Sequence, residues 1–302
     1  MEVSSPKKLL FPDDGITKAE VVDHVESVAD RLLHFAGGRP LTLQRFPRGI
    51  DQKGFMQKNA SDHFPASIRR FDVPKRGDGV TKYAVVEEAG DFAYLANQNT
   101  TTFHMWTSSA DAPGQPDWLI IDLDPEDGDI AKVRDATLAI RTVLNRFELD
   151  GFVLATGSKG FHVWVRLVEG HDFAAVSSAS RAIAGLAVLD HPDALTTEFL
   201  KKKREHRVFV DWLRNGPTAT VVVPFSLRPR SGAPVAVPLR WDELATARPD
   251  GWRIGNIADR FDIDVDLDAH ELPVGHILDA ARSAGVDLDT PHDRFGRSPK
   301  QP

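Results

Sequence analysis

The sequence predicts an α+β protein with a mixed or antiparallel central sheet and helices covering one of its faces. Three observations carry that prediction. The apolar run Trp118-Leu119-Ile120-Ile121 leads into Asp122-Leu123-Asp124-Pro125 and reads as a buried strand ending in two acids. Two further strand-like runs, Phe152 to Thr156 and Phe161 to Leu167, are joined by only a few residues, which argues for an antiparallel hairpin over a doubly wound parallel fold. Helical patterns over about 130 to 147 and 172 to 188 supply the covering layer. At 302 residues, 41% of them apolar and 27% charged, the chain is an ordinary globular protein of one large or two modest domains with a substantial core.

The first element is a helix. Thr17-Lys18-Ala19-Glu20 reads as a capping box, Val21, Val22, Val25, Val28, Leu32 and Leu33 recur at helical spacing, and Gly37-Gly38 ends the run. Short strands follow at Leu41 to Phe46 and Tyr83 to Val86, between Pro- and Gly-containing turns. After the elements already described come strands at Val208 to Asp211 and Thr220 to Leu227. Neither an internal repeat nor a low-complexity linker interrupts the chain. The last dozen residues, ending Gly296-Arg297-Ser298-Pro299-Lys300-Gln301-Pro302, read as a loose tail.

Composition removes several function classes. With no cysteine there are no disulfides and no thiolate-held zinc, haem or iron–sulfur centre, so any metal is held by oxygen or imidazole. No run approaches the roughly 18 apolar residues of a membrane span, and the N-terminal residues lack the apolar stretch of a signal peptide. A cytoplasmic protein without a membrane partner is expected. The net charge of -7 is unevenly placed: residues 242 to 290 hold 12 acids against 4 bases, a local charge of -8, which leaves about +1 for the remainder. Segment 198 to 230 has 8 bases against 3 acids. A basic binding surface can therefore coexist with an acidic protein.

Alternate side chains of a strand share a face, so Asp122 and Asp124 point the same way while Leu119, Ile121 and Leu123 point into the core. Two carboxylates so close repel each other and lose solvation, costs that a hard divalent cation relieves. The turn Thr156-Gly157-Ser158-Lys159-Gly160 offers N–H groups, a hydroxyl and an ammonium, which suit a phosphate. It is not a P-loop, and the tetrapeptide alone is more simply an ordinary surface turn. The strand after it shifts the balance, because Phe161, Val163, Val165 and Leu167 form an apolar face and leave His162, Trp164 and Arg166 on the other.

A third acid, Asp211, ends the short strand Val208-Phe209-Val210, shortly after the basic run Lys201-Lys202-Lys203-Arg204. Three carboxylates and two cations make a phosphoryl-transfer site, although Asp211 by itself is more simply a turn former. Arg214, Ser226 and Arg228 complete the set, with Ser226 and Arg228 expected on one strand face where a guanidinium fork could meet a triphosphate. Arg228 could equally be a surface ion-pair partner. The basic run is either a solvated face or a contact to a DNA backbone.

Taken together, these segments resemble the polymerase domain of bacterial DNA ligase D, a branch of the archaeo-eukaryotic primase superfamily. The similarity runs from about Ser5 to about Ile257 and rests on ordered matches. They are Lys8-Leu9-Leu10-Phe11-Pro12 with Gly15-Ile16-Thr17-Lys18, Gly38-Arg39-Pro40-Leu41-Thr42, Gln57-Lys58, His104-Met105-Trp106, the Asp122 and Asp124 segment, Gly157 to His162, Phe209-Val210-Asp211, Pro224 to Arg228, and Pro238 to Leu244. The resemblance implies a primase-polymerase fold, with an RRM-like catalytic unit and an N-terminal α/β part. It also implies a template-directed nucleotidyltransferase that extends a primer 3′-OH at gaps and broken ends, prefers ribonucleotides, and uses two divalent metals, manganese or magnesium, with NTP or dNTP as substrate.

Carried over by position, the resemblance has Asp122, Asp124 and Asp211 holding the metals. Ser158, Lys159, His162 and Arg228 receive the incoming nucleotide, with His104 nearby and Ser226 and Arg214 beside them. Lys8 and Lys18, with Ser5, grip the 5′-phosphate across a gap. Lys18 also sits in the first turn of a capped helix, where N–H groups and the dipole favour an anion. Phe55, Met56, Lys58 and Arg204 are the further template and DNA contacts. Two positions depart from the family pattern. Ser5 stands where Asn is usual and, as a shorter donor, is expected to weaken 5′-phosphate binding. Met56 replaces an aromatic and stacks on a base less well.

The expected organisation is one primase-polymerase domain: 1–105 binding DNA and the 5′-phosphate, 106–257 catalytic, 258–290 an acidic extension packed beside the core, and 291–302 a flexible tail. The nearest segment to a ligase adenylation motif, Arg76-Gly77-Asp78-Gly79, lacks the lysine. A stand-alone, nucleoid-associated monomer is therefore expected, working with a separate DNA ligase and end-binding repair proteins. Priming and terminal transfer are further activities open to such a domain. A non-catalytic DNA-end or gap-binding module is the competing reading, and a metal-dependent phosphohydrolase a third that leaves the 5′-phosphate lysines unexplained.

Overall fold

The computed structural model describes residues 2–75, 77–261, 265 and 267–290. The tail 291–302, Asp262, Asp264 and Asp266 of the acidic stretch, and Arg76 lie outside the described residues. The chain begins with a hairpin, β1 (Leu9–Phe11) and β2 (Ile16–Thr17), and two helices, α1 (Lys18–Ser27) and α2 (Ala29–Ala36). Strands β3 (Pro40–Arg45), β4 (Phe55–Gln57), β5 (Arg69–Pro74) and β6 (Val80–Val85), helix α3 (Ala89–Asn97) and strand β7 (Thr100–Trp106) follow. Then come β8 (Trp118–Asp124), α4 (Ile130–Asn145), β9 (Phe152–Ala155), β10 (Phe161–Arg166) and α5 (Phe173–Asp190). The chain continues through β11 (Leu195–Thr196), β12 (Val208–Asp211), β13 (Thr220–Val222), β14 (Val237–Leu239) and α6 (Val274–Ala284).

Two six-stranded sheets result, one ordered β11-β12-β8-β10-β9-β14 and the other β13-β7-β3-β6-β5 with β4 added to β3. The first is mixed, since β11 runs parallel to β12 while its other pairs are antiparallel. Residues 152–166 form the antiparallel hairpin that their short connection requires. Helices α4 and α5 lie against this sheet, burying Val133, Ile140, Val176 and Ile183. On the opposite face Phe35 of α2 meets Trp118, Phe152, Trp164 and Phe225, with ring centroids 6.0 to 6.5 Å apart. An aromatic plug thus closes that face at one end and leaves the other end, toward Asp122 and Asp124, for the site.

Two expectations need correction. The helix read from Thr17 to Gly37 is two helices, broken at Val28, whose φ of -112° and ψ of 9° leave the helical region. The run Thr220 to Leu227 is a strand only as far as Val222; it then turns, with Phe225 at φ 68°, to cross from one sheet to the other. Helix α5 is apolar enough along its 18 residues to cross a bilayer by composition, but half of that stretch is buried beneath α4, α6 and the sheet, as in a core helix. Helix α6, in the acidic stretch, packs along α5, where Gly185 leaves room for Val286.

Candidate active site

Strand register gathers the acids. His162 of β10 lies opposite Asp122 of β8, and Asp122 lies opposite Asp211 of β12. Directly paired residues share a face, so the three stand in one row across three strands. Asp124 follows two residues along β8, on the same face, and is the exposed member. The row is tied by short polar contacts: His162 Nε2 lies 3.3 Å from Asp122 Oδ1, Arg214 Nε and Nη2 lie 3.0 and 2.9 Å from Asp122 Oδ2, and Arg214 Nε is 3.4 Å from Asp211 Oδ2. Arg214 is in position because a short 3-10 turn, Leu213–Asn215, follows β12 directly, and the Leu213 N–H donates to Asp211 Oδ1 at 2.9 Å.

The turn between β9 and β10 stands beside this row. Thr156 closes it through N–H and Oγ bonds to Gly160 O at 3.3 and 2.7 Å. Gly157, at φ 65°, cannot carry a side chain, because a Cβ there would lie 2.7 Å from Cγ of Arg228. Arg228 therefore packs onto the turn, and its Nη1 donates to Thr156 O at 2.9 Å while its buried Nε has no partner among the described residues. Ser158 Oγ accepts from Arg230 Nη1 at 2.9 Å, and Lys159 is exposed. His104 enters from the other sheet, on β7 between Thr42 and Val222. Burial, followed by the nearby charges of Arg228 and Arg214, lowers its pKa to about 3.

A family model described as LigD, primase-polymerase domain, matches residues 17–267. The chain belongs to that family. It is 29% identical over 297 residues to the Multifunctional non-homologous end joining protein LigD of Mycolicibacterium smegmatis, covering 96% of this chain and 39% of that protein. It is 32% identical over 251 residues to the Multifunctional non-homologous end joining DNA repair protein LigD of Mycobacterium tuberculosis, covering 80% of this chain and 33% of that protein. It therefore spans well under half the length of these relatives. Its structure is similar, with a TM-score of 0.76 and 26% identity, to the Polymerase Domain from Mycobacterium tuberculosis Ligase D in complex with DNA, covering 96% of this chain and 99% of that one. The α+β primase-polymerase fold is the one found, and the LigD polymerase domain is a nucleotidyltransferase.

In this LigD primase-polymerase domain the three acids are held in unequal states. Burial acts to raise the Asp122 carboxyl, but His162 and Arg214 more than offset it and hold the group well below the usual range. Loss of solvent, then the charge of Asp122, pushes Asp124 up, and the same two causes raise Asp211. Arg214 is raised in turn, chiefly by Asp122. Among the described residues, no three His, Asp or Glu side chains stand ready as a metal cage; Arg214 serves as counter-charge to Asp122 and Asp211. The donor set nevertheless suits a divalent ion: Asp122 and Asp211 share the Arg214 guanidinium, Asp124 stands on the same face of β8, and two of the three carboxylates are disfavoured as anions.

Several sequence expectations change in detail. Ser226 is buried and its hydroxyl accepts the Phe103 N–H at 2.8 Å, which ties its segment to β7, and it does not share a continuous strand with Arg228. The Arg204 guanidinium is tied to its own chain: it donates to Glu198 O and Phe199 O at 3.1 and 2.9 Å and lies 3.9 Å over the Phe209 ring, leaving Lys201–Lys203 as the exposed part of the run. The Gly157 N–H is also engaged, by Pro249 O at 2.8 Å. Arg230 was not singled out in the sequence, and its only sign there is its place two residues after Arg228.

Lys8 and Lys18 come together at the base of the β1–β2 hairpin, where the Lys18 N–H donates to Lys8 O at 2.7 Å. Burial, then the charge of Lys8, lowers the Lys18 ammonium. Lys8 Nζ donates to Asn99 Oδ1 at 2.9 Å and to Pro47 O. Lys18 Nζ donates to the carbonyl and hydroxyl of Ser4, both at 2.6 Å, so Ser4 and not Ser5 is its serine partner. Ser5 is exposed with φ 51°, a left-handed conformation that Asn adopts more readily. Phe55, Met56 and Lys58 are exposed on and beside β4, and Arg45 lies 5.6 Å from the Phe55 ring. As neighbours on one strand, Phe55 and Met56 point to opposite faces and do not form one stacking platform.

Proposed function

We propose that this domain is a template-directed DNA-repair polymerase that adds nucleotides, preferentially ribonucleotides, to a primer 3′-OH at gaps and double-strand break ends in non-homologous end joining. The observation that carries the reading is the row His162-Asp122-Asp211 with Asp124 beside it, set against an arginine-rich turn. Asp122, Asp124 and Asp211 would hold one divalent ion and Asp122 with Asp124 a second, manganese or magnesium. Such ions supply the Lewis acidity that lowers the pKa of the primer hydroxyl and neutralises the triphosphate.

The chain's own groups do the rest. Lys159 and Arg228 face the triphosphate and offset the charge that grows as pyrophosphate leaves; the unpartnered Arg228 Nε is a buried donor that a phosphate oxygen would satisfy. Arg214 is placed to turn from the carboxylates to the nucleotide when cations take over its role. His162 fixes the orientation of Asp122 through its Nε2. His104, kept neutral by burial and by the arginines, can meet the nucleotide as a hydrogen-bonding group without adding charge. Lys8 and Lys18, which already converge, hold the 5′-phosphate on the far side of a gap.

Primer extension on gapped DNA with each nucleotide type and each metal tests the reading. Asp122→Ala and Asp124→Ala are expected to fold and to bind gapped DNA but to add no nucleotide. Extension by either purified variant removes the mechanism. DNA binding without extension by the wild type would leave an end-binding module instead.

A further inference from the structure

We propose that Asp14 is a positioning residue that couples the 5′-phosphate site to the turn that receives the nucleotide. The inference rests on the reading of Lys8 and Lys18 as that site. The hairpin β1–β2 carries Lys8 just before its first strand and Lys18 just after its second, and Pro12-Asp13-Asp14-Gly15 forms its tip. The Lys18 N–H bond to Lys8 O at 2.7 Å and the Gly15 N–H bond to Pro12 O at 3.2 Å close it at both ends.

At the tip, the exposed carboxylate of Asp14 reaches across 217 and 218 positions of sequence: Oδ1 accepts from the Ser231 hydroxyl at 3.1 Å and Oδ2 from the Gly232 N–H at 2.7 Å. Ser231 and Gly232 form the outer bend of a turn that starts at Arg228 and is closed by Arg228 N–H to Pro234 O at 2.7 Å and Ala233 N–H to Arg230 O at 3.1 Å. The same turn sends Arg230 to Ser158 and Arg228 across Gly157. Gly232, at φ 82°, has Arg253 packed where its Cβ would be, so the bend is fixed from behind as well. A continuous path therefore runs from the two lysines, along the hairpin, through Asp14 and the bend, to the β9–β10 turn.

A 5′-phosphate on Lys8 and Lys18 stiffens the hairpin, and Asp14 passes that order to the 228–234 turn. A turn already ordered loses less entropy when it closes on a triphosphate, so the nucleotide KM falls. The test is the nucleotide KM and kcat of the full chain on single-gap DNA whose downstream strand ends in 5′-phosphate or 5′-hydroxyl. Wild-type KM is expected to be about fivefold lower with the phosphate. In Asp14→Ala the two KM values meet at the 5′-hydroxyl level with kcat little changed, while fluorescence anisotropy still shows preference for the phosphorylated gap. Asp14→Asn, which keeps an acceptor, gives an intermediate ratio. Amide exchange in 228–234 slows on binding the phosphorylated gap in the wild type and not in Asp14→Ala.

An unchanged KM ratio in Asp14→Ala overturns the coupling. So does a wild type that binds the 5′-phosphate preferentially yet shows one KM for both substrates. A wild type whose DNA binding ignores the 5′-phosphate instead strikes the Lys8 and Lys18 reading, and the coupling falls with it.

Discussion

Asn215 is fully buried and stands in for a strand where β12 stops. Its Nδ2 donates to Ile120 O at 2.7 Å and Trp212 O at 2.9 Å, and its Oδ1 accepts the Ile120 N–H at 2.8 Å. Both backbone groups of β8 two residues before Asp122 are thereby satisfied. Asn215→Ala leaves them buried without partners and is expected to cost about 2–4 kcal/mol, measured as a shift of the urea midpoint. Nothing in the sequence marks this role, because Asn215-Gly216 reads as a plain turn signal. The alignment of Asp122 with Asp124 was legible, since strand alternation alone puts them on one face. From local pattern Asp211 was legible only as a strand-end acid, and it joined Asp122 and Asp124 through the family resemblance; its place opposite Asp122 is a matter of strand order, which local pattern does not encode. The partners of Arg204 and Ser226 were hidden for the same reason, as their carbonyl, ring and N–H contacts come from tertiary packing.

Among the elements, α1 shows how a legible start can have a hidden interior. The Thr17 and Glu20 capping box forms as its sequence predicts, with Glu20 Oε2 accepting the Thr17 N–H at 2.7 Å. Inside the helix, His24 is buried with Nε2 3.3 Å from Phe225 O and Nδ1 without a partner among the described residues, and burial lowers its pKa from 6.5 to about 4. The unfolded chain takes up a proton below about pH 6.5 that the folded chain refuses until about pH 4, so this group withdraws stability as pH falls through that window. The full effect is on the order of 3 kcal/mol at about 1.4 kcal/mol per pH unit. His24→Gln is expected to lose less stability than the wild type between pH 7 and pH 4, as read from denaturant midpoints. The segment before β3 makes a second link that its motif did not disclose. Arg39 forks onto Asp117 at 2.7 and 2.6 Å, joining the approach to β3 with the approach to β8. Arg39→Ala is expected to cost about 3 kcal/mol, the lower end for a broken buried pair, because Arg166 keeps Asp117 at 3.0 Å. A parallel loss of Tm would check it.

At the scale of the whole molecule, the site exists because two sheets are tied together beside the acidic row. The segment from β13 to β14 starts as a strand of one sheet and ends as a strand of the other, and the turn carrying Arg228 and Arg230 lies between. Short connections made the antiparallel hairpin of the catalytic sheet readable in advance, whereas this crossing was hidden by the uniform apolar run from Val221 to Val223. The charge distribution along the sequence is uneven in the same sense: the surplus acids lie late in the chain, over residues 242 to 290, and the site keeps its arginines. The central claim is that Asp122, Asp124 and Asp211 form a cation site next to the nucleotide. Anomalous diffraction from crystals grown with manganese and a non-hydrolysable NTP tests it most directly. Manganese bonded to Asp122 and Asp124, with Asp211 on one ion and Arg214 moved off the carboxylates, is the predicted result. Manganese bound elsewhere, or Arg214 still bridging Asp122 and Asp211 beside a seated nucleotide, would contradict it.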